Sequence, residues 1–244
     1  MDPIPENEIA LLLILAGPAG SGKTTLCDRL VDEYDSVERV VTCTTRAPRE
    51  GEEDGVDYFF LSNEQFDAKV EAGEFLEWAH VHTYRYGTLK STIESKLKDD
   101  VDLVMNIDVQ GVAAVQEAAR EQPTIDQRLV TVFLMPANFD ELKARLRGRG
   151  KDDEAEIARR IESAEKEIEQ WRSFDYLLRS SSKAEDFAAI TSIWQAEKRR
   201  VCRTTRFSPL RSLEVERASG SRTRMAVSSC LAGRGQAHMY CNTA

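Results

Sequence analysis

The sequence predicts a three-layer α/β fold in which a parallel central sheet has helices on both faces. The apolar run from Ile9 to Ala16 has the length and composition of a buried parallel strand. Similar runs follow at 101–107 and 129–135, and stretches of helical spacing separate them. Strands that alternate with helices are typical of a parallel sheet, because each return to the same edge needs a crossover connection.

A glycine-rich loop follows the first strand directly and reads Gly17-Pro18-Ala19-Gly20-Ser21-Gly22-Lys23-Thr24. It matches G-x-x-x-x-G-K-[ST], in which successive backbone N–H groups point at phosphate oxygens, the lysine adds a positive charge and the last hydroxyl reaches Mg²⁺. Residues 24–31 have helical spacing, so the positive end of a helix faces the same phosphates. The sequence therefore predicts a nucleoside triphosphate site.

The segment from about 39 to 92 has a different pattern. Short strand-like pieces occur at 40–44, 58–61 and 75–78, and Ser62-Asn63-Glu64-Gln65 has the form of a capping box that starts a helix ending near Gly73. This pattern indicates a small mixed α/β module inserted into the sheet domain.

A pair of polar helices is predicted after the third strand. The first starts at 138–141 and breaks at Gly148-Arg149-Gly150, and a long charged helix follows over about 153–170. Arginine-bearing helices around a glycine break suit a mobile cover over a phosphate site.

Composition excludes several classes of protein. The 244 residues carry a formal charge of −9, which disfavours a nucleic-acid binder. No apolar run approaches the roughly 20 residues that span a bilayer, and the N-terminus is acidic, unlike a secretory signal. Five cysteines without a C-x-x-C pair favour reduced thiols over disulfides or zinc. We expect a cytoplasmic protein without membrane or nucleic-acid partners.

Residues 201–244 differ from the rest of the chain. They hold seven arginines and two glutamates, a net charge of +5, which leaves −14 for residues 1–200. No apolar period is present, so we expect a disordered basic tail whose deletion leaves activity and stability almost unchanged. An RNA-binding arm, or an arm that docks on the acidic body, is the alternative.

Two guanidinium groups stand three residues apart around a proline, at Arg46 and Arg49. Arginine suits a phosphate because it forms two parallel hydrogen bonds with the oxygens. The alternative is a solvated surface loop with scattered charge. The phosphate-binding loop elsewhere in the chain favours the first interpretation.

From about residue 9 to 198 the chain resembles the guanylate kinases. The resemblance rests on several segments in the family's order and approximate spacing: Gly17–Thr24, Thr44–Gly51, Asp57-Tyr58, Phe75-Leu76-Glu77-Trp78, Tyr86-Gly87, Ile107-Asp108-Val109-Gln110-Gly111 and Leu146-Arg147-Gly148-Arg149-Gly150. It implies a P-loop kinase with a core of residues 9–38, 93–138 and 164–200, a GMP-binding insert at 39–92 and a helical lid at 139–163. Residues 1–8 are then an N-terminal extension.

The resemblance also implies the substrates and the residues that bind them. Phosphate passes from ATP to GMP, and to dGMP, with Mg²⁺, in a monomer or a homodimer. Glu77 accepts hydrogen bonds from guanine, and the GMP site as a whole comprises Thr42, Arg46, Arg49, Glu52, Tyr58, Glu77, Tyr86, Thr88 and Asp108. ATP binds to Gly17, Pro18, Ala19, Gly20, Ser21, Gly22, Lys23, Thr24 and Thr25.

Catalysis is implied to rest on five cations, which neutralise charge on the transferring phosphoryl group: Lys23, Arg46, Arg145, Arg149 and Arg160. Thr24 is the implied metal ligand, and Asp108 the implied partner of the metal through water. The chain departs from the family's pattern at Asn106, where a second acidic residue is usual. It departs again at Arg179-Ser180-Ser181-Ser182, in place of an Asn-Asp pair near the adenine, so we expect weaker selectivity for the base of ATP.

Two other functions remain open. A sugar-phosphate kinase on the same scaffold would keep Gly17–Thr24 but has no need of Glu77 with Thr42 and Arg46. A non-catalytic phosphopeptide-binding module would use the arginines of the GMP site. Modules of that kind characteristically have degraded phosphate loops and lid arginines, and both features are intact in this sequence.

Overall fold

The computed structural model describes residues 9–81, 83–148, 154–200 and 203. The predicted N-terminal extension 1–8, the predicted lid arginine Arg149 and, except for Arg203, the predicted tail 201–244 lie outside the described residues. In the described part, no helix is both long and apolar enough to cross a membrane.

The central sheet has five strands, all parallel, as the sequence predicts. Its spatial order is β2-β7-β1-β8-β9. The strands are β1 Leu12–Ala16, β2 Val37–Arg39, β7 Asp102–Asn106, β8 Leu129–Met135 and β9 Tyr176–Arg179. The first strand therefore lies in the middle, and the loop that follows it opens at the centre of the sheet's carboxyl edge, where ligands bind in open α/β sheets.

A second sheet of four strands has the order β4-β3-β6-β5, with β3 and β4 parallel and the other pairs antiparallel. Its strands are β3 Thr42–Thr44, β4 Tyr58–Phe60, β5 Phe75–Val81 and β6 Tyr84–Leu89. It occupies the segment in which the sequence predicts a mixed α/β module.

Eight helices are described, with a 3₁₀ turn at Glu169–Ser173. The helices are α1 Lys23–Glu33, α2 Asn63–Glu71, α3 Lys90–Lys98, α4 Val109–Arg120, α5 Pro123–Asp126, α6 Phe139–Gly148, α7 Glu154–Ile168 and α8 Lys183–Lys198. The capping box predicted at Ser62 is present: its hydroxyl accepts from the Gln65 backbone, and the Gln65 side chain accepts from the Ser62 backbone.

The core lies on both faces of the central sheet, because successive strand residues point to opposite sides. In β1, Leu12 and Ile14 belong to one apolar cluster, which also contains residues of α3 and α4, whereas Leu13 and Leu15 belong to a second cluster with residues of α1 and α8. These clusters give the three-layer arrangement that the sequence predicts.

The predicted tail boundary requires a correction at Arg203, which is buried rather than part of a disordered arm. Its Nη1 lies 2.9 Å from Oε2 of the buried Glu197, and its Nη2 donates to the Leu129 carbonyl at 3.0 Å. The sequence gives no signal for this contact, because Arg203 follows the end of α8 and its partner Leu129 is 74 positions away.

We predict that Arg203→Ala lowers the free energy of unfolding by about 3 kcal/mol, since loss of one partner leaves a buried charge poorly compensated. The measurement is chemical denaturation. Arg199→Ala, at an exposed position on the same helix end, is the control and should change stability by less than about 0.5 kcal/mol. Equal stability of the two variants would show that the Arg203 contact contributes nothing.

Candidate functional site

The phosphate-binding loop connects β1 to α1, so the predicted strand, loop and helix are confirmed in order. Gly17 has φ +138°, and a Cβ atom there would lie 2.4 Å from the Leu134 carbonyl oxygen of the adjacent strand. Only glycine fits this position, because it lacks the Cβ and tolerates positive φ. The close contact with β8 fixes where the loop leaves the sheet.

The Lys23 side chain folds back over this loop. Its Nζ donates to the carbonyl oxygens of Gly17 at 2.6 Å and of Pro18 at 2.9 Å. Lys23 is also the first residue of α1, and Thr24 and Thr25 follow in the helix's first turn. The loop therefore combines a lysine ammonium with the positive end of a helix, as an anion site requires.

A cavity of about 350 Å³ lies beside the loop. It is lined by Gly20, Ser21, Gly22, Thr25, Leu26, Arg29, Arg145, Lys183 and Asp186. Arg145 of α6 reaches the loop itself, since its Nη1 donates to the Ser21 carbonyl at 3.3 Å, while Glu141 holds Nη2 at 2.5 Å. The structure thus places one predicted lid arginine against the predicted ATP-binding residues.

Helices α6 and α7, which contain the predicted lid, also pack on the loop through apolar residues. Leu142 and Leu146 of α6 and Ala164 of α7 form a small buried cluster, and Ala19 of the loop packs against it. Arg160 lies on α7 and is half-buried. The other lid arginine of the predicted site, Arg149, lies outside the described residues.

A second cavity, of about 310 Å³, lies between the two sheets and contains many of the residues predicted for GMP. It is lined by Thr42, Tyr58, Glu77, Ala79, Tyr86, Gly87, Asn106, Ile107, Asp108 and Gly111. Gly87 is required here, because a Cβ atom would lie 2.9 Å from both the Phe75 ring and the Trp78 Cβ. The structure therefore brings five predicted GMP residues to one cavity from four different strands and the start of α4.

Glu77 is the buried carboxyl group of this second cavity, with 7% of its surface exposed. Thr88, opposite Glu77 on the neighbouring strand, donates its hydroxyl to Oε1 at 2.7 Å. Burial raises the pKa of the Glu77 carboxyl to about 7; the Thr88 hydrogen bond opposes the rise, and the nearby Asp108 charge adds to it. A buried carboxyl group with a raised pKa in a cavity is a candidate for a functional site.

Arg46 and Arg49 differ in their exposure to solvent. Arg46 is buried, and both carboxylate oxygens of Glu52 accept from its Nη2 at 2.9 Å. Its guanidinium also lies over the Tyr58 ring, 5.4 Å from the centroid. Arg49 is exposed, and its backbone N–H donates to Glu52 at 2.8 Å. Glu52 therefore organises the whole turn, which fixes Arg46 and leaves the Arg49 side chain at the surface.

A third cavity, of about 440 Å³, adjoins the loop at Thr24. It is lined by Thr24, Asp28, Arg39, Val40, Thr42, Glu52, Val56, Asp57, Tyr58, Met105 and Asn106. Thr42, Tyr58 and Asn106 also line the Glu77 cavity. The two cavities are therefore neighbours that share these side chains: one includes Thr24 of the phosphate-binding loop, and the other includes the buried Glu77 carboxyl group.

Thr24 lines the third cavity and Asp108 lines the Glu77 cavity, and both carry oxygen atoms of the kind that Mg²⁺ prefers. The described residues contain no group of three or more His, Cys, Asp and Glu side chains suited to hold a metal. Mg²⁺ commonly takes only one or two protein oxygens, and water and substrate phosphates complete its shell. The Thr24 hydroxyl and the Asp108 carboxylate meet that requirement. Asp108 is held in place as the N-cap of α4, where it accepts from the Gly111 backbone at 2.7 Å.

Sequence reasoning missed three side chains at the site. Asp186 lines the cavity beside Arg145 and is held by the Ser180 hydroxyl and the Ser181 N–H, each at 2.7 Å. Glu167 of α7 is half-buried; burial raises the pKa of its carboxyl, and the charges of Lys23 and Asp108 act on it in opposite directions. Arg39 lines the third cavity. The capping pattern Ser182-Lys183-Ala184-Glu185 marks the helix start just before Asp186, whereas the other two positions carry no local signal.

The chain is similar to known proteins over most of its length. The guanylate kinase family model matches residues 10–197. A guanylate kinase of Clostridioides difficile is 39% identical over 193 residues, which cover 79% of this chain and 91% of the relative. One from Thermotoga maritima is 37% identical over 192 residues, with 79% and 89% covered. The crystal structure of guanylate kinase from Anaplasma phagocytophilum aligns with TM-score 0.63 and 28% identity, over 81% of this chain and 90% of that one.

Proposed function

Because this chain belongs to the guanylate kinase family, we propose that it transfers the γ-phosphoryl group of ATP to GMP, giving ADP and GDP, with dGMP as a second acceptor. The observation that carries this proposal is the buried Glu77 carboxyl, whose cavity shares Asn106 with the cavity at Thr24 of the phosphate-binding loop. A hydrogen-bond acceptor for the base and a binding loop for the phosphates thus lie in neighbouring cavities.

Glu77 selects the base. Guanine presents two adjacent donors, its N1–H and its exocyclic amine, and a carboxylate presents two acceptors. Thr88 holds one of those oxygens at 2.7 Å, so the carboxylate is oriented before GMP binds. Adenine has no hydrogen at N1 to donate, so the buried carboxylate would be left unpaired, which is costly.

Arg46, Arg49, Tyr58 and Tyr86 bind the phosphate of GMP. The fixed Arg46 supplies a positioned positive charge, because Glu52 and the Ala47 carbonyl at 2.7 Å hold its guanidinium. Arg49 supplies a second guanidinium from an exposed position and closes on the phosphate when it arrives. The tyrosines add hydroxyl donors from the cavity wall.

Lys23 and the arginines of the lid stabilise the transferring group. Phosphoryl transfer needs little covalent chemistry from a protein, so positioning and electrostatic stabilisation supply most of the rate. Lys23 moves from the loop carbonyls to the β- and γ-phosphates, and Arg145, Arg149 and Arg160 neutralise charge on the γ-phosphoryl oxygens. The Thr24 hydroxyl, and Asp108 through water, would hold Mg²⁺, which would supply Lewis-acid stabilisation of the phosphate charge.

Radiolabelled ATP tests this proposal. With γ-labelled ATP, Mg²⁺ and GMP, we expect label in GDP and one ADP per GDP, and no transfer after chelation of Mg²⁺. The sugar-phosphate kinase alternative predicts transfer to a sugar phosphate and none to GMP. The phosphopeptide module predicts binding of a phosphopeptide without turnover. Either result would contradict the proposal.

The raised pKa of Glu77 predicts a pH dependence of GMP binding. The carboxylate, not the protonated acid, accepts hydrogen bonds from guanine, and burial holds the pKa of the free protein's Glu77 near 7. Protonation below that pH competes with GMP, so KM for GMP should rise about tenfold per pH unit below 7 while kcat at saturating GMP changes less. Steady-state kinetics between pH 5.5 and 8.5 measure this. A KM that does not change across this range would contradict the role of the carboxylate.

A further inference from the structure

Arg39 bridges two elements at the edge of the phosphate-binding loop. It is the last residue of β2, and its Nη1 donates to Asp28 of α1, one helical turn beyond Thr24. Its Nη2 donates to the Asn106 side-chain oxygen at 2.7 Å, at the end of β7. The guanidinium therefore connects the loop helix to the strand that ends between the two cavities.

The Arg39 contact fixes the orientation of the Asn106 amide. A guanidinium has only donors, so the amide must turn its oxygen, Oδ1, toward Arg39. The amide nitrogen, Nδ2, then points away from the guanidinium. No described residue accepts a hydrogen bond from Nδ2, so this donor remains available to a ligand.

The position of Asn106 determines which ligand can use that donor. Asn106 lines the Glu77 cavity and also the cavity at Thr24, so it lies where the acceptor nucleotide's phosphate has to meet the triphosphate. Asp28 balances the charge of Arg39. At this position the chain therefore offers an uncharged, oriented N–H donor.

Resting on the proposed function, we propose that Asn106 binds the 5′-phosphate of GMP through Nδ2, and that Arg39 is the positioning residue that orients the amide. The phosphate oxygen is an ionised acceptor, and hydrogen bonds to ionised groups are the stronger kind. No covalent step is involved.

Calorimetry on the full chain measures the affinities for GMP and for guanosine, which lacks the phosphate. A variant that loses only a phosphate contact weakens GMP binding alone, whereas a general effect on the site weakens both. Asn106→Leu keeps the size of the side chain and removes its polar atoms. We expect it to weaken GMP binding by about 10-fold or more, the loss of one hydrogen bond to a charged group. Guanosine, which lacks the phosphate, should bind within about twofold of its affinity for the unchanged protein.

Arg39→Met tests the positioning role and keeps the experiment informative if Asn106→Leu folds poorly, because the Arg39 side chain is 39% exposed. It should weaken GMP binding by about 3- to 10-fold, since the amide can then rotate, and Arg39→Lys should recover part of the loss. The double variant should bind GMP no more weakly than Asn106→Leu alone.

Glu38→Gln is the matched control, because Glu38 precedes Arg39 on the same strand and pairs with Lys96 at 2.6 Å. It should leave both affinities unchanged. The proposal is overturned if Asn106→Leu weakens GMP and guanosine equally, or if the effects of Asn106→Leu and Arg39→Met multiply in the double variant.

The same measurements separate this inference from the proposed function. If the unchanged protein binds and phosphorylates GMP but the Asn106 and Arg39 variants match Glu38→Gln, only the inference fails. If the unchanged protein binds AMP as tightly as GMP and phosphorylates neither, the proposed function fails and the phosphate contact with it.

Discussion

Lys23→Ala is expected to reduce kcat by at least about 10³-fold, the scale of losing one positioned charge from a phosphoryl-transfer site. The melting temperature should change little, because the lysine Nζ donates to the loop carbonyls of Gly17 and Pro18 and the side chain belongs to none of the apolar clusters of the described residues. The Lys23 ammonium is expected to lower the free energy of the transition state, in which charge on the transferring phosphoryl group has to be stabilised.

The measurement is single-turnover and steady-state kinetics with saturating ATP and GMP. Lys96→Met is the control, since Lys96 forms an exposed pair with Glu38 and lines none of the three cavities described above. Its kcat should equal that of the unchanged protein. A Lys23→Ala variant that keeps kcat within about tenfold would refute the assignment of the triphosphate site.

Glu77→Gln should lower kcat/KM for GMP by about 10³-fold or more, because the new amide turns a donor toward the donors of guanine. The loss should be far smaller for AMP, so the preference for GMP should shrink. Stability should not fall: burial already disfavours the ionised carboxyl, as its pKa near 7 shows, and a neutral isostere removes that cost.

Glu74→Gln is the control, because it makes the same chemical change at an exposed residue directly before β5, the strand that carries Glu77. Glu74 pairs with Lys69 at 2.7 Å. Kinetics with GMP and with AMP should be unaffected there. If Glu77→Gln lost activity with both substrates to the same extent, Glu77 would be a structural residue and the base assignment would be wrong.

The part of this fold that the sequence predicts is the part with strong local signals. The buried run before Gly17 gives β1, and the capping box at Ser62 gives the start of α2, because each depends on neighbouring residues alone. Strands β6 and β9 have weaker signals. Tyr84–Leu89 alternates polar and aromatic residues beside a glycine, and Tyr176–Arg179 is a four-residue edge strand; pairing with a neighbour determines both.

The residues of the candidate site also fall into those that the sequence predicts and those that only the structure reveals. Lys23 and Arg46 lie within recognisable motifs, so their residue types and spacing indicate their roles, whereas the role of Glu77 is implied by the resemblance to the guanylate kinases. Arg39 and Asn106 are 67 positions apart, and neither has a local pattern that predicts their contact. Such a contact follows only from the order of strands β2 and β7 in the sheet, which the sequence does not determine by itself.

A comparison of five acceptor nucleotides tests whether the Glu77 carboxylate, which recognises the base, and the phosphate-binding loop belong to one active site. Formation of ADP is followed in a coupled assay with ATP and Mg²⁺ across GMP, dGMP, AMP, CMP and UMP. We expect a kcat/KM for GMP at least about 10³-fold above that for AMP, with dGMP as the next acceptor. Equal values for GMP and AMP would contradict it.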